Sequence, residues 1–182
     1  MTDAPTITPD DITKASTDDT ATSSPSGWYS YFVSLGNGWG IKVFHTEKSA
    51  RLSYDRQSVA AEFNVGPEVG EFMYLGNDKW GYVSEEVEVG PNDKKADRTE
   101  QELKNFRDAR YAWELLMDDW KDEQRQIKAI LAEYADFPLF DAHPWNWGFK
   151  NERNTLVCID FATQTEDFQS VDEKRSYIED HS

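Results

Sequence analysis

Two short reversals, Gly36-Asn37-Gly38 and Gly76-Asn77-Asp78, constrain the fold more than any other feature, because each stands between segments that favour extended backbone. Tyr29 to Leu35 and Trp39 to Phe44 flank the first, and both are rich in aromatic and β-branched side chains. Glu71 to Leu75 and Trp80 to Val89 flank the second in the same manner. Between the two pairs, the segment from Lys48 to Phe63 sets Leu52, Val59, Ala60 and Phe63 near helical spacing, and Gly66-Pro67 ends it. The first half of the chain therefore reads as antiparallel sheet plus one helix.

The second half changes period. From Asp97 to Tyr134, Trp113, Leu116, Met117 and Trp120 fall on one helical stripe and Ile127, Ile130, Leu131 and Tyr134 on another, which predicts two helices broken near Asp122. Helix-spaced Trp and Met of this kind are core residues. Phe137-Pro138-Leu139-Phe140 is expected to be extended, since proline disfavours helix in the residue before it, and it feeds a loop, Asp141-Ala142-His143-Pro144-Trp145-Asn146. Leu156 to Ile159 form a short apolar strand that ends at Asp160. Residues 1–26, mostly Thr, Ser, Asp and Pro, read as a loose polar arm, and residues 166–182 as an acidic tail. The expected class is α+β.

Composition narrows the partners. A net charge of -16 repels nucleic acid and anionic membrane, so neither is an expected ligand. Solubility, a saline cytoplasm or mimicry of DNA toward a basic protein each account for such acidity. Seven Trp, eight Tyr and ten Phe in 182 residues supply the apolar surface for one core. The lone cysteine, Cys158, lies in an apolar run and reads as a small buried hydrophobe. No apolar run is long enough to span a membrane and no leader pattern opens the chain, so a cytoplasmic location is expected.

The chemistry-bearing pattern is Asp141 and Asn146, five residues apart in a loop, followed by Asp160 at the end of a buried strand. Phosphoryl transfer needs a carboxylate that orients or deprotonates the acceptor hydroxyl, a second that holds magnesium across the phosphates, and a neutral oxygen that completes the metal shell. Asp141, Asp160 and Asn146 match these roles in that order.

In these residues the chain resembles the protein kinase-like superfamily, nearest its aminoglycoside and choline phosphotransferase branch, whose loop reads Asp-x-His-x-x-Asn. The resemblance covers residues 25 to 162 and implies a minimal two-lobe fold: an N-lobe of strands and one helix over residues 27–90 and a reduced helical C-lobe over residues 91–165. ATP and Mg2+ are the implied cofactors. Asp141 becomes the catalytic base, Asn146 and Asp160 the metal ligands, and Lys42 the lysine that meets the α- and β-phosphates. Gly27 and Ser30 fall in the latter half of a phosphate loop whose earlier glycines are absent, and Ala162 stands where protein kinases carry glycine. The helix carboxylate expected to pair with Lys42 falls on Gln57, with Glu62 just over a turn further on. Glu86 and Glu88 occupy the hinge whose backbone meets adenine, and His143 braces the loop.

Only 20 residues follow Ala162, so the helices that bind acceptor in larger kinases are not expected. Their loss would leave Trp145, Trp147 and Phe149 to pack on the two helices, on the tail, or on a homodimer or protein partner. Three functions follow: an ATP-dependent phosphotransferase acting on an unknown small-molecule or protein hydroxyl, a nucleotide-binding pseudokinase that works through a partner, and an acidic decoy of a DNA-binding protein.

Overall fold

Left-handed backbone sets both reversals. Gly36 and Gly38 have φ of 77° and 82°, and Gly76, Asn77 and Asp78 have φ of 84°, 52° and 56°. Glycine, asparagine and aspartate are the residues that tolerate such values, and paired left-handed residues match the twist of a two-strand hairpin. The computed structural model describes residues 4–17, 30–91, 99–137, 143–150 and 152–161. In chain order these form α1 (Pro9–Thr17), β1 (Ser30–Ser34), β2 (Trp39–Phe44), α2 (Glu47–Glu62), β3 (Val69–Gly76), β4 (Lys79–Glu85) and β5 (Glu88–Val89). Then come α3 (Glu100–Asp119), α4 (Lys121–Tyr134), a 3-10 turn (Pro144–Asn146), β6 (Trp147–Lys150) and β7 (Thr155–Cys158).

The first sheet has order β1-β2-β4-β3 and all its pairings are antiparallel. Strand alternation sorts its side chains onto two faces. Val33, Ile41, Val43 and Leu75 pack with Ile7, Ile12 and Ala15, which puts α1 on one face. Phe44, Tyr82 and Phe72 pack with Ala50 and Tyr54, which puts α2 on the other.

Helix α1 departs from the loose arm expected for residues 1–26. Its composition is poor in apolar residues, but its start is capped locally: the Asp11 amide donates to Thr8 Oγ1 at 3.3 Å, and the Thr8 amide to the Asp11 carboxylate at 2.9 Å. The Thr8 hydroxyl, which donates to the same carboxylate at 2.6 Å, and then the Thr8 amide hold the Asp11 carboxyl below its ordinary range, and Pro9 occupies the first helical position, where no amide is missed. At the other end Lys79 Nζ donates to the Ser16 carbonyl and the Tyr31 hydroxyl to the Ala15 carbonyl, both at 2.8 Å. Ala15 is buried completely. The acidic tail lies outside the described residues.

The strand expected to run from Trp80 to Val89 divides. Its second part, β5, leaves the first sheet and pairs with β6, which pairs in turn with β7 in a second antiparallel sheet, β5-β6-β7. The helix break falls at Trp120, two residues before Asp122. Helices α3 and α4 pack on the second sheet through Trp113, Met117, Ile127 and Leu131. Trp147 and Phe149, expected to need cover, are buried there, with the rings of Trp113 and Trp120 edge-on to Phe149 at 5.8 and 5.2 Å. Among the described residues no helix is long and apolar enough to cross a membrane.

Gly81 shows how closely the first sheet is packed: a Cβ built on it meets the Lys42 carbonyl oxygen at 2.6 Å and Leu75 Cδ1 at 2.9 Å. Backbone on one side and core on the other leave nothing to yield. Gly81→Ala is therefore expected to destabilise the chain by about 1–3 kcal/mol in denaturant unfolding; an unchanged midpoint would mean that the strands have room to part.

Candidate functional site

Lys42 stands between Ile41 and Val43 on β2, so the same alternation that sends those two toward α1 sends Lys42 to the α2 side of the sheet. Tyr82 is directly opposite it on β4. Lys42 is only 7% exposed, and a dry ammonium needs partners. Its Nζ donates to the Ile159 carbonyl at 3.0 Å and lies 5.9 and 5.8 Å from the ring centres of Phe44 and Phe161. Burial draws its pKa below the ordinary lysine range, and the charges of Asp160 and Cys158 oppose that. Asp160 is thus close enough to act on a lysine far away in sequence.

The second sheet brings Asn146 to the same place. Asn146 closes the 3-10 turn, is buried, and accepts from the Ile159 amide through its backbone carbonyl at 2.9 Å. The turn itself is held by the Asn146 amide on the His143 carbonyl at 3.0 Å. Helix α3 braces it from outside: the Trp113 indole donates to the Pro144 carbonyl at 2.9 Å, and the Arg110 guanidinium stacks 4.4 Å from the Trp145 ring centre. Among the described residues no three His, Cys, Asp or Glu side chains gather. Asp160 and Asn146 each carry a hard oxygen donor, the ligand type that Mg2+ takes.

Gln57 takes a different part from the one expected. Its amide nitrogen donates to Ser84 Oγ at 2.7 Å and to the Pro67 carbonyl at 3.2 Å, and its oxygen accepts from the Tyr82 hydroxyl at 2.9 Å. Ser53 Oγ lies 2.9 Å from the same hydroxyl. Gln57 therefore makes no hydrogen bond to Lys42, and Glu62 is exposed at the end of α2. The partner shown for Lys42 is a carbonyl of the second sheet's exit and not a group of α2. Ser30 begins β1 opposite Phe44, buried, with its Oγ unpartnered among the described residues. Glu86 accepts from Ser34 Oγ at 2.9 Å, and its amide donates to the Gly38 carbonyl at 2.8 Å. Glu88 forms a two-point pair with Arg153 that holds its carboxyl below the usual range. Asp141 and Gly27 lie outside the described residues.

Two participants escaped the sequence reading. Tyr82 was one aromatic among many on a strand, and only the sheet register sets it opposite Lys42 with its hydroxyl on Gln57. Lys150, on a strand that the sequence did not reveal, is buried in ion pairs with Glu85 and Glu68 at 3.0 and 3.4 Å. Comparison with family models, with curated proteins and with solved structures returned no match.

Beside the site, burial and then the Asp160 charge push the Cys158 thiol up to about 12. The thiol donates weakly to the Asp160 carbonyl at 3.5 Å. A thiol is nucleophilic only as thiolate, so Cys158 is expected to ignore a disulfide reagent at pH 8 in the native chain and to react fully in denaturant. Rapid reaction of the native chain would show that this wall of the site opens.

Proposed function

We propose that the chain is an ATP- and magnesium-dependent phosphotransferase of kinase-like, two-lobe build. Residues 27–90 serve as the N-lobe and residues 91–165 as a reduced C-lobe. One observation carries the reading: Lys42 Nζ at 3.0 Å from the Ile159 carbonyl and the Ile159 amide at 2.9 Å from the Asn146 carbonyl join Lys42, Asn146 and the residue before Asp160. These are the residues that a phosphate-binding cation and a magnesium-binding pair require.

In this reading Lys42 exchanges a neutral carbonyl for phosphate oxygens, a stronger charge-assisted contact in a partly desolvated cleft. Asp160 and Asn146 would hold Mg2+, which would offset the charge of the phosphates. Ser30, and Gly27 by the resemblance, would serve the phosphates, and the adenine would meet the segment at Glu86 and Glu88, where the Glu86 amide is already bonded to the Gly38 carbonyl. The Asp141 carboxylate takes the acceptor's proton as the hydroxyl oxygen bonds to the γ-phosphorus and the bond to the β-phosphate oxygen breaks, releasing ADP.

A second reading has its own observation. Gln57 is a neutral amide held by Tyr82, Ser84 and Pro67, and Glu62 is exposed, so Lys42 receives no carboxylate from α2, which suits a domain that binds nucleotide without turning it over.

Mg-ATP is expected to raise the melting temperature of the wild type by mass action, and Asp160→Asn to lose most of that response. Lys42→Met is expected to weaken ATP far more than adenosine. Asp141→Asn should keep Mg-ATP binding while lowering phosphotransfer or autophosphorylation by about 10²–10⁴. Equal responses of wild type and Asp160→Asn to Mg-ATP overturn the nucleotide site. Binding without turnover in any acceptor pool, unchanged by Asp141→Asn, selects the second reading.

A further inference from the structure

Lys150 is the last residue of β6, and its side chain is 4% exposed. Its ammonium has three partners, all from the margin of the other sheet: Glu85 Oε2 at 3.0 Å, Glu68 Oε1 at 3.4 Å and the Gly66 carbonyl at 3.4 Å. The two carboxylates are themselves held in place. The Glu85 amide donates to the Glu68 carbonyl at 2.9 Å, and the Glu68 amide to Glu85 Oε2 at 3.1 Å. Lys150 is the buried side of this cluster, whereas the Glu68 and Glu85 side chains are 32% and 26% exposed, so removing the carboxylates would leave its ammonium dry and unpaired.

Its place in the hairpin matters more than its strength. In the β6-β7 register Trp147 faces Cys158 at one end and Lys150 faces Thr155 at the other. The first end is tied to the α2 exit by the Cys158 amide on the Val65 carbonyl at 2.9 Å. That bond and the Lys42 ammonium on the Ile159 carbonyl lie at one end of the hairpin, and Lys150 ties the other. Strand β5 follows β4 after only Glu86 and Val87 and pairs with β6, so the chain itself is a further tie, and Lys150 is the side-chain tie at the turn end of the hairpin. The hairpin begins directly after Asn146 and runs out into Asp160, while the opposing sheet carries Lys42.

We propose that Lys150 is a positioning residue that sets the angle between the hairpin bearing Asn146 and Asp160 and the sheet bearing Lys42. The geometric part stands by itself; its effect on nucleotide rests on the proposed function. The test uses the full chain with spin labels on Glu71→Cys in β3 and Asn154→Cys in the β6-β7 turn, both exposed positions, and buried Cys158 left in place. A narrow distance distribution is expected with Lys150, a broadened or shifted one with Lys150→Met, and recovery with Lys150→Arg. Glu68→Gln, which keeps the Glu85 pair, is expected to fall between and carries the test if Lys150→Met does not fold. Mg-ATP affinity should fall by about 10- to 100-fold in Lys150→Met, as for residues that orient metal ligands. Unchanged distances in Lys150→Met, or in Glu68→Gln if only that variant folds, overturn the proposal whatever the nucleotide does. Broadened distances in a chain whose wild type ignores Mg-ATP support the clamp and remove the nucleotide reading instead.

Discussion

Three hydrogen bonds converge where the chain leaves β7, and the arrangement of the two sheets depends on them. The Cys158 amide is taken by Val65, the Ile159 amide by Asn146, and the Ile159 carbonyl by the Lys42 ammonium. The surroundings are apolar, with Ala60, Trp147 and Phe161 buried completely. An amide or ammonium in such a place must find a partner or bear the full cost of desolvation. Here the partners come from the end of α2, the 3-10 turn and β2. Satisfying the backbone of one short segment thereby fixes three remote parts of the chain against one another.

Local chemistry explains what could be read from the sequence. The hairpins of β1-β2 and β3-β4 were legible because the left-handed residues that make them fall within three consecutive positions, and α2, α3 and α4 because each carries its apolar stripe within a few turns. Strand β6 was not, since Trp147-Gly148-Phe149-Lys150 is too short to show a period and earns its state by pairing with β5 and β7. Helix α1 was hidden by poor hydrophobicity, although the Thr8-Pro9-Asp10-Asp11 start was a capping signal on the page.

For the site, the interval between Asp141 and Asn146 and the position of Asp160 pointed to a loop and a strand exit, and hydrogen bonds join Asn146 and Lys42 to Ile159, the residue before Asp160. What spacing could not supply was direction. Gln57 lay at the expected turn of α2, but its amide is claimed by Tyr82, Ser84 and Pro67, a choice made by sheet register and not by helix periodicity. Lys150 was similarly unreadable, because a lysine on a short strand looks solvated until the carboxylates that bury it are placed around it.

The way α2 is fastened to the first sheet carries a consequence for how this acidic chain meets changing ionic strength. Gln57, Tyr82, Ser84 and Ser53 are all uncharged, and their contacts are buried. Exposed ion pairs such as Lys121 with Asp118 and Arg51 with Glu47 fade as the Debye length shrinks to about 3 Å in molar salt. The mutual repulsion behind a net charge of -16 fades with them. A neutral fastening has nothing to screen. Counterions therefore act on the outer shell of charge and leave the helix seated on its sheet from dilute buffer to brine.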